Sequence, residues 1–157
     1  MNLKAIEPGA FEGIARIHWL DLRKNLISTI EPNTFEGLCI IDQLQLRENK
    51  IHIVKSNAFL GLDRLGELTL SKNEIQTLEA GAFLGLHNLR MLHLSGNQII
   101  RIEDGAFAGL DSLDYLSLEG SPVTCDEAYA AGLPAMVNCR GGRSTAPPSS
   151  TPATSGK

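Results

Sequence analysis

The side chains best suited to chemistry are the histidines, which bind transition metals or transfer protons near neutral pH. A metal site needs several such ligands at short, regular spacing, as in H-E-x-x-H or paired C-x-x-C motifs. The chain contains neither motif, and it also lacks the G-x-S-x-G nucleophile motif and the Walker phosphate loop. The sequence therefore predicts no metal, no cofactor and no enzymatic activity. The four histidines are His18, His52, His87 and His93.

Acidic residues are a second candidate, since two carboxylates that converge in a pocket can perform acid–base catalysis. Glutamates recur at intervals of 24 residues or its multiples, at positions 7, 31, 79 and 103, and Lys55 takes the remaining position. A repeat places equivalent side chains in a row along the molecule and does not bring them together in a pocket. We therefore expect these residues to form a solvated ridge.

The same interval of 24 residues governs the apolar side chains. All five phenylalanines obey it, at 11, 35, 59, 83 and 107, and asparagines recur at 25, 49, 73 and 97. Within each unit apolar and polar residues alternate, as in Leu92-His93-Leu94, which is the pattern of a short half-buried strand. One unit cannot bury its own leucines, so the units must stack with equivalent strands about 4.8 Å apart.

These residues resemble the leucine-rich repeat, L-x-x-L-x-L-x-x-N-x-I, in its 24-residue extracellular form that ends in A-F-x-G-L. The resemblance covers residues 1–123, the first unit being partial. It implies an α/β fold, a right-handed solenoid (horseshoe) with a parallel β-sheet on its concave side and a mostly irregular convex side. It also implies a stacked spine of phenylalanines and a ladder of buried asparagines that bond the backbone of neighbouring coils.

The residues between the leucines are left on the concave side of this sheet, where solvent reaches them. The single tryptophan and one of the two tyrosines lie there, and Trp, Tyr, Met and Arg are enriched at recognition surfaces. We predict that this face binds a ligand. Because five strands span only about 20 Å, flanking loops or the segment after the repeats must contribute to binding. Ser71 and Ser95 share the face. The predicted binding residues are Trp19, Asp21, Arg23, Gln43, Gln45, Arg47, Glu67, Thr69, Met91, His93, Tyr115, Ser117 and Glu119.

The repeat pattern stops at residue 123, and residues 124–140 resemble a reduced C-terminal cap of secreted leucine-rich repeat proteins, with a short helix predicted over 127–133. Cys39 lies about four coils before the cap, or roughly 20 Å at the strand spacing, whereas a disulfide requires Cα atoms within about 7 Å. We therefore predict a Cys125–Cys139 disulfide and an unpaired Cys39. The alternative is that all three thiols are free, as in a cytosolic protein.

The two ends of the chain differ from the repeats. Met1 stands at the asparagine position of a partial unit with no preceding cysteine-containing cap. This favours either an upstream cap and signal peptide that were removed or self-association through this end, to which Cys39 adds a second route. Residues 141–157 are rich in Ser, Thr and Pro and predict a disordered stalk, with an interdomain linker as the alternative. No apolar run approaches the roughly 20 residues of a transmembrane segment.

The order of few repeats, cysteine-bearing cap and Thr/Pro-rich stalk is similar to that of the variable lymphocyte receptors. The resemblance implies a secreted or cell-surface immune recognition module for microbial surface glycans or other components, or for protein antigens. The alternatives are an extracellular adhesion, matrix or guidance protein that binds a protein partner or itself, and an intracellular scaffold with reduced cysteines. Because the formal charge is −4, and nucleic-acid-binding domains are usually basic, we expect no nucleic-acid partner.

Overall fold

The computed structural model describes residues 2–14 and 16–141. The role assigned to Met1 and the predicted stalk from residue 142 onward lie outside the described residues. The described chain forms ten short strands and one helix. In chain order the strands are β1 (Trp19–Asp21), β2 (Thr29–Ile30), β3 (Gln43–Gln45), β4 (Ile53–Val54), β5 (Glu67–Thr69), β6 (Thr77–Leu78), β7 (Met91–His93), β8 (Arg101–Ile102), β9 (Tyr115–Ser117) and β10 (Asn138–Arg140).

The larger sheet has six parallel strands in the order β1-β3-β5-β7-β9-β10. Its repeat strands pair without a register shift, so that Trp19 lies opposite Gln43 and each central leucine lies opposite the next. The leucines face the core because the pleat sends alternate side chains to opposite faces. The leucine-rich repeat solenoid predicted from the sequence is confirmed.

The sixth strand, β10, comes from the cap and extends the sheet beyond the repeats. Cys139 lies opposite Leu116 and so takes the position that a leucine holds in the repeat strands. The sequence pattern did not predict this strand, because the cap lacks the alternation of apolar and polar residues. Its pairing depends on the return of the chain to the last coil, which a disulfide secures.

A second sheet has four parallel strands in the order β2-β4-β6-β8. Each strand has only two residues, and the second of them is a branched apolar side chain, as in Ile30, Val54 and Leu78, that enters the core. The family resemblance implied a mostly irregular arrangement outside the concave sheet. Two residues are too few for a periodicity signal, so only the stacking of coils produces these strands.

The five phenylalanines form the predicted spine. Ring centroids of successive phenylalanines lie 5.8, 5.9, 6.1 and 6.0 Å apart, with nearly parallel planes. Phe35, Phe59, Phe83 and Phe107 are buried, whereas Phe11 is half-buried. The glycine two residues later allows the tight return, since a Cβ at Gly37 (φ +101°) would lie 3.0 Å from the carbonyl oxygen of Phe11.

The predicted asparagine ladder is also confirmed. The Asn97 amide donates to the carbonyl oxygens of Leu70 (3.0 Å) and Leu94 (2.9 Å), and its oxygen accepts from the Ile75 amide (3.0 Å). Asn49 and Asn73 make the equivalent bonds. The ladder satisfies backbone groups that the loop after each strand would otherwise leave unpaired in the interior.

The last rung of the ladder is a serine. Ser121 stands where an asparagine would, and its hydroxyl accepts from the Ile99 amide (3.0 Å) and donates to the Asn97 carbonyl (3.1 Å). A hydroxyl thus replaces part of the amide's bonding at the coil that meets the cap.

The cap helix, α1, spans Cys125–Ala130 and begins two residues earlier than the predicted range of 127–133. A capping box sets its start: Thr124 accepts from the Glu127 amide (3.0 Å), and the Glu127 carboxylate accepts from the Thr124 amide (3.1 Å). Its end precedes Gly132, whose φ of +104° is left-handed. The predicted Cys125–Cys139 disulfide is present with a Cα–Cα distance of 5.9 Å, and Cys39 is free and exposed.

The glutamate ridge does more than face water. Glu31 accepts from the Lys55 ammonium at 3.1 Å, while Glu79 and Glu103 accept from the backbone amides of Ser56 (3.2 Å) and Ala80 (3.1 Å) in the preceding coil. These bonds tie each turn to the next. They explain why Glu79 and Glu103 are only half-exposed.

Candidate functional site

The strand register orders the predicted binding residues into columns across the concave sheet. The first column contains the first residue of each strand. In this column Trp19 and Met91 are exposed, at 54% and 39%, and Gln43 is exposed between them. Tyr115 is half-buried because the His93 ring leans against it, with centroids 5.6 Å apart. Trp19 and Tyr115 lie on the first and fifth strands, roughly 20 Å apart at the strand spacing, so the structure does not bring them together.

The second column contains the third residue of each strand, and its side chains are more buried than the sequence indicated. Thr69 is 9% exposed and Ser117 is 2% exposed, and the Ser117 hydroxyl accepts from the Leu94 amide at 3.3 Å. These two residues form a floor and offer little area to a ligand. His93 stands above them with its Nε2 atom 3.7 Å from the Glu67 carboxylate, and Gln45 is half-buried.

Asp21 and Arg23 neutralise each other at the first strand. The Arg23 guanidinium donates to both carboxylate oxygens of Asp21 at 2.8 and 2.7 Å, and the Arg23 amide donates at 3.0 Å. These hydrogen bonds lower the pKa of Asp21 from 3.8 to about 2. Arg23 is therefore already engaged at the end of its own strand, and only its remaining N–H groups are available to a ligand.

We predict that the Asp21→Asn variant loses stability in a pH-dependent way. Because the folded pKa of Asp21 is depressed, its stabilisation is present above the unfolded pKa near 3.9 and is lost as the pH falls through 2. The carboxylate is partly exposed, so the effect at pH 6 stays below about 1 kcal/mol. Urea unfolding of both proteins at pH 6, 4 and 2.5 should show a shrinking difference; a constant difference would contradict the assignment.

A depression of about 610 Å³ lies where strands β5, β7 and β9 end on the concave face. It forms because the chain carries small residues there: Thr69, Ser71 and Ser95 in the strand columns, then Gly96 and Gly120 in the loops that follow. Earlier coils carry Lys24, Glu48 and Lys72 at the equivalent loop position, so two missing side chains open the space. Its charged or titratable walls are Arg47, Glu67, Lys72, His93 and Glu119.

The binding residues predicted from the sequence include only part of the lining of this depression. Lys72, Gly96 and Gly120 were missed because they follow the strands, outside the alternating pattern. The signal was present in the repeat, since glycine replaces a charged residue at one fixed position in the last two coils. The cap strand also adds Asn138 and Arg140, exposed beside Tyr115 and Ser117, which no repeat pattern could have indicated.

Within residues 2–14 and 16–141, no three His, Cys, Asp or Glu side chains group closely enough to hold a metal ion. In the same part of the chain there is a single helix of six residues, which is too short to cross a membrane. The site is thus best described as a polar sheet face with exposed aromatic and thioether side chains at separate points.

The family model described as leucine rich repeat matches residues 1–51, 16–75, 41–99 and 64–123, together most of the chain. The chain belongs to the leucine-rich repeat family. Among solved structures, this leucine-rich repeat chain is similar to the "Crystal structure of TLR13-ssRNA13 complex", with a TM-score of 0.71 and 33% identity. The match covers 73% of this chain and 16% of that one, so our chain spans a small part of that Toll-like receptor. No curated protein matches.

This similarity corrects one prediction. The expectation of no nucleic-acid partner was wrong, since a protein of the same fold and 33% identity is solved in complex with single-stranded RNA. The physical error was to judge a partner from net charge. The formal charge of −4 sums the whole surface, whereas a solenoid presents one face, and Arg47, Lys72 and Arg140 all lie on or beside that face.

Proposed function

We propose that this leucine-rich repeat chain is a non-enzymatic recognition module of the innate-immune type that binds protein antigens or microbial surface components through its concave face. Support comes from the repeat family and from the similarity to a Toll-like receptor. The Cys125–Cys139 disulfide is compatible with a secreted or cell-surface protein in an oxidising environment. The layout of repeats, cap and following Thr/Pro-rich segment supports a receptor similar to the variable lymphocyte receptors.

The observation that carries the proposal is the uncovered concave sheet. Parallel sheets are normally covered on both faces, yet here one face keeps Trp19 54% and Met91 39% exposed. Exposed aromatic and thioether side chains among polar neighbours are typical of interaction surfaces. The remaining proposed contacts, including Gln43, Gln45 and Glu67, supply hydrogen-bonding groups around these anchors.

The test is a binding screen of the intact protein against bacterial cells and purified extracellular proteins, followed by affinity measurements on a double variant. Trp19→Ala with Tyr115→Ala should weaken ligand binding by more than about 2 kcal/mol, or roughly 30-fold, because both ends of the face lose an anchor. Leu60→Ala with Ile100→Ala removes exposed apolar side chains outside the concave columns and serves as the matched control. Equal effects of the two double variants would reject the concave site.

Single-stranded RNA is a second candidate ligand, because the similar solved structure is an RNA complex. Proteins bind single strands by stacking bases on aromatic rings and pairing phosphates with cations, and Trp19, Tyr115 and Arg47 are available for both. Fluorescence anisotropy with a labelled RNA oligonucleotide should then show binding that weakens with salt and with the Trp19/Tyr115 double variant. Binding insensitive to both would contradict this candidate. Solution mass in the same buffer tests the self-binding adhesion alternative.

A further inference from the structure

We propose that the concave depression is a subsite for adjacent acidic and basic side chains of a protein ligand. In this proposal Arg47 and Lys72 bind the ligand's carboxylate, and Glu119 binds the neighbouring cation. The inference rests on the proposed function and deepens it, since it names the chemistry that one part of the concave face selects.

The cationic side of the depression lacks a strong partner. Arg23 makes a two-point contact with Asp21, whereas Arg47 has only Glu48 nearby, with 3.4 Å between Nε and the carboxylate oxygen. The Nε atom of Arg47 is shielded from solvent and makes no hydrogen bond. The Arg47 side chain as a whole is 42% exposed, so a ligand carboxylate would bind its accessible guanidinium N–H groups rather than the shielded Nε.

Lys72 is the second cation of this wall. It is exposed and takes part in none of the ion pairs found among the described residues. The following coil makes room for its stem, because a Cβ at Gly96 would lie 3.1 Å from Lys72 Cγ. The glycine that opens the depression thus also lets the lysine lie along its edge.

The acidic side is separate from the cations. None of the ion pairs of the described residues joins Arg47 or Lys72 to Glu67 or Glu119; Glu67 is 3.7 Å from His93 instead. Between the two sides lie the hydroxyls of Ser71 and Ser95, with their oxygens 3.1 Å apart. The empty space therefore separates charges of opposite sign that do not pair with each other.

This separation of charge decides between ligand classes for the subsite. A ligand with one anion next to one cation would pair with both sides, and the Ser71 and Ser95 hydroxyls would bond its backbone. A row of phosphates would gain from Arg47 and Lys72 but would meet Glu67 beside these cations and Glu119 two strands further on. The depression is better matched to a protein segment with an acidic and a basic residue side by side.

The experiment titrates the ¹⁵N-labelled protein with capped dipeptides and follows its amide resonances. N-acetyl-Glu-Lys-amide should give saturable shifts at Ser71, Ser95, Gly96 and Gly120, and N-acetyl-Glu-Ala-amide should bind more weakly. The double variant Arg47→Gln/Lys72→Gln should weaken the Glu-Lys peptide at least about tenfold, as expected for lost charge-assisted bonds. Glu119→Gln should abolish the preference for Glu-Lys over Glu-Ala.

The matched control is Lys50→Gln/Arg64→Gln, which removes the same charge from exposed residues that do not line the depression. Equal weakening by this control, or equal binding of both peptides to the unaltered protein, would overturn the subsite. Stronger binding of a single-stranded RNA oligonucleotide that depends on Arg47 and Lys72 would overturn the choice of a protein segment. Loss of the subsite with an intact Trp19/Tyr115 effect on the screened ligand would leave the proposed function standing.

Discussion

Replacing Phe83 with alanine is expected to lower the free energy of unfolding by about 3–5 kcal/mol. Phe83 is fully buried and stacks between Phe59 and Phe107, with ring centroids 6.1 and 6.0 Å away. The cavity would interrupt the spine in the middle of the solenoid, where coils on both sides limit relaxation. Urea unfolding followed by circular dichroism measures the change.

Phe11 provides the matched control for this prediction. It has one stacking neighbour, Phe35, at 5.8 Å, and it is half-buried at the first described coil. Phe11→Ala removes the same atoms but leaves a smaller cavity, so we expect less than half the loss seen at Phe83. Equal losses would show that the spine does not act as a continuous stack.

Asn97→Ala is expected to destabilise the protein by about 3 kcal/mol or more. Asn97 is 0% exposed, and its removal takes bonding partners from the Leu70 and Leu94 carbonyls and from the Ile75 amide. Each buried group left unpaired costs about 1–3 kcal/mol, and the three groups together account for a loss of about 3 kcal/mol or more. Chemical unfolding again gives the magnitude.

Two further variants separate hydrogen bonding from the loss of volume. Asn97→Ser should lose about half as much stability as Asn97→Ala, because Ser121 already uses a hydroxyl at the equivalent position of the next coil. Asn88→Ala is the control: its side chain is exposed and makes one bond, to the Asp63 carbonyl at 2.6 Å, so we expect a change within about 1 kcal/mol. A serine variant as unstable as the alanine variant would argue against the ladder.

Much of the fold was predictable because equivalent positions of successive repeats carry the same type of residue, so that each structural signal occurs several times. The strand register, the spine and the ladder follow from the interval of 24 residues, and the Cys125–Cys139 disulfide follows from the distance between coils. The start of the cap helix was misplaced because the capping box of Thr124 and Glu127 was overlooked. The non-repeating cap offers each signal only once.

The binding face was predicted less completely, since alternation assigns a side to each residue but not its exposure. Ser117 points to the predicted face and is nevertheless buried, and Arg23 is engaged by Asp21. The ligand itself remains a proposal. Net charge gave a wrong exclusion of nucleic acid because it averages over faces that a solenoid keeps apart.

By itself, the sequence determined which side chains enter the core and that equivalent residues stack in columns, since residues 24 positions apart occupy equivalent places in successive coils. Only the tertiary structure decided which column members reach solvent, how β10 extends the sheet, and where the depression opens. Those properties depend on neighbours in adjacent coils, about 24 residues away along the chain but in contact across the sheet. Burial, pairing and empty space belong to several coils together, so no single repeat encodes them.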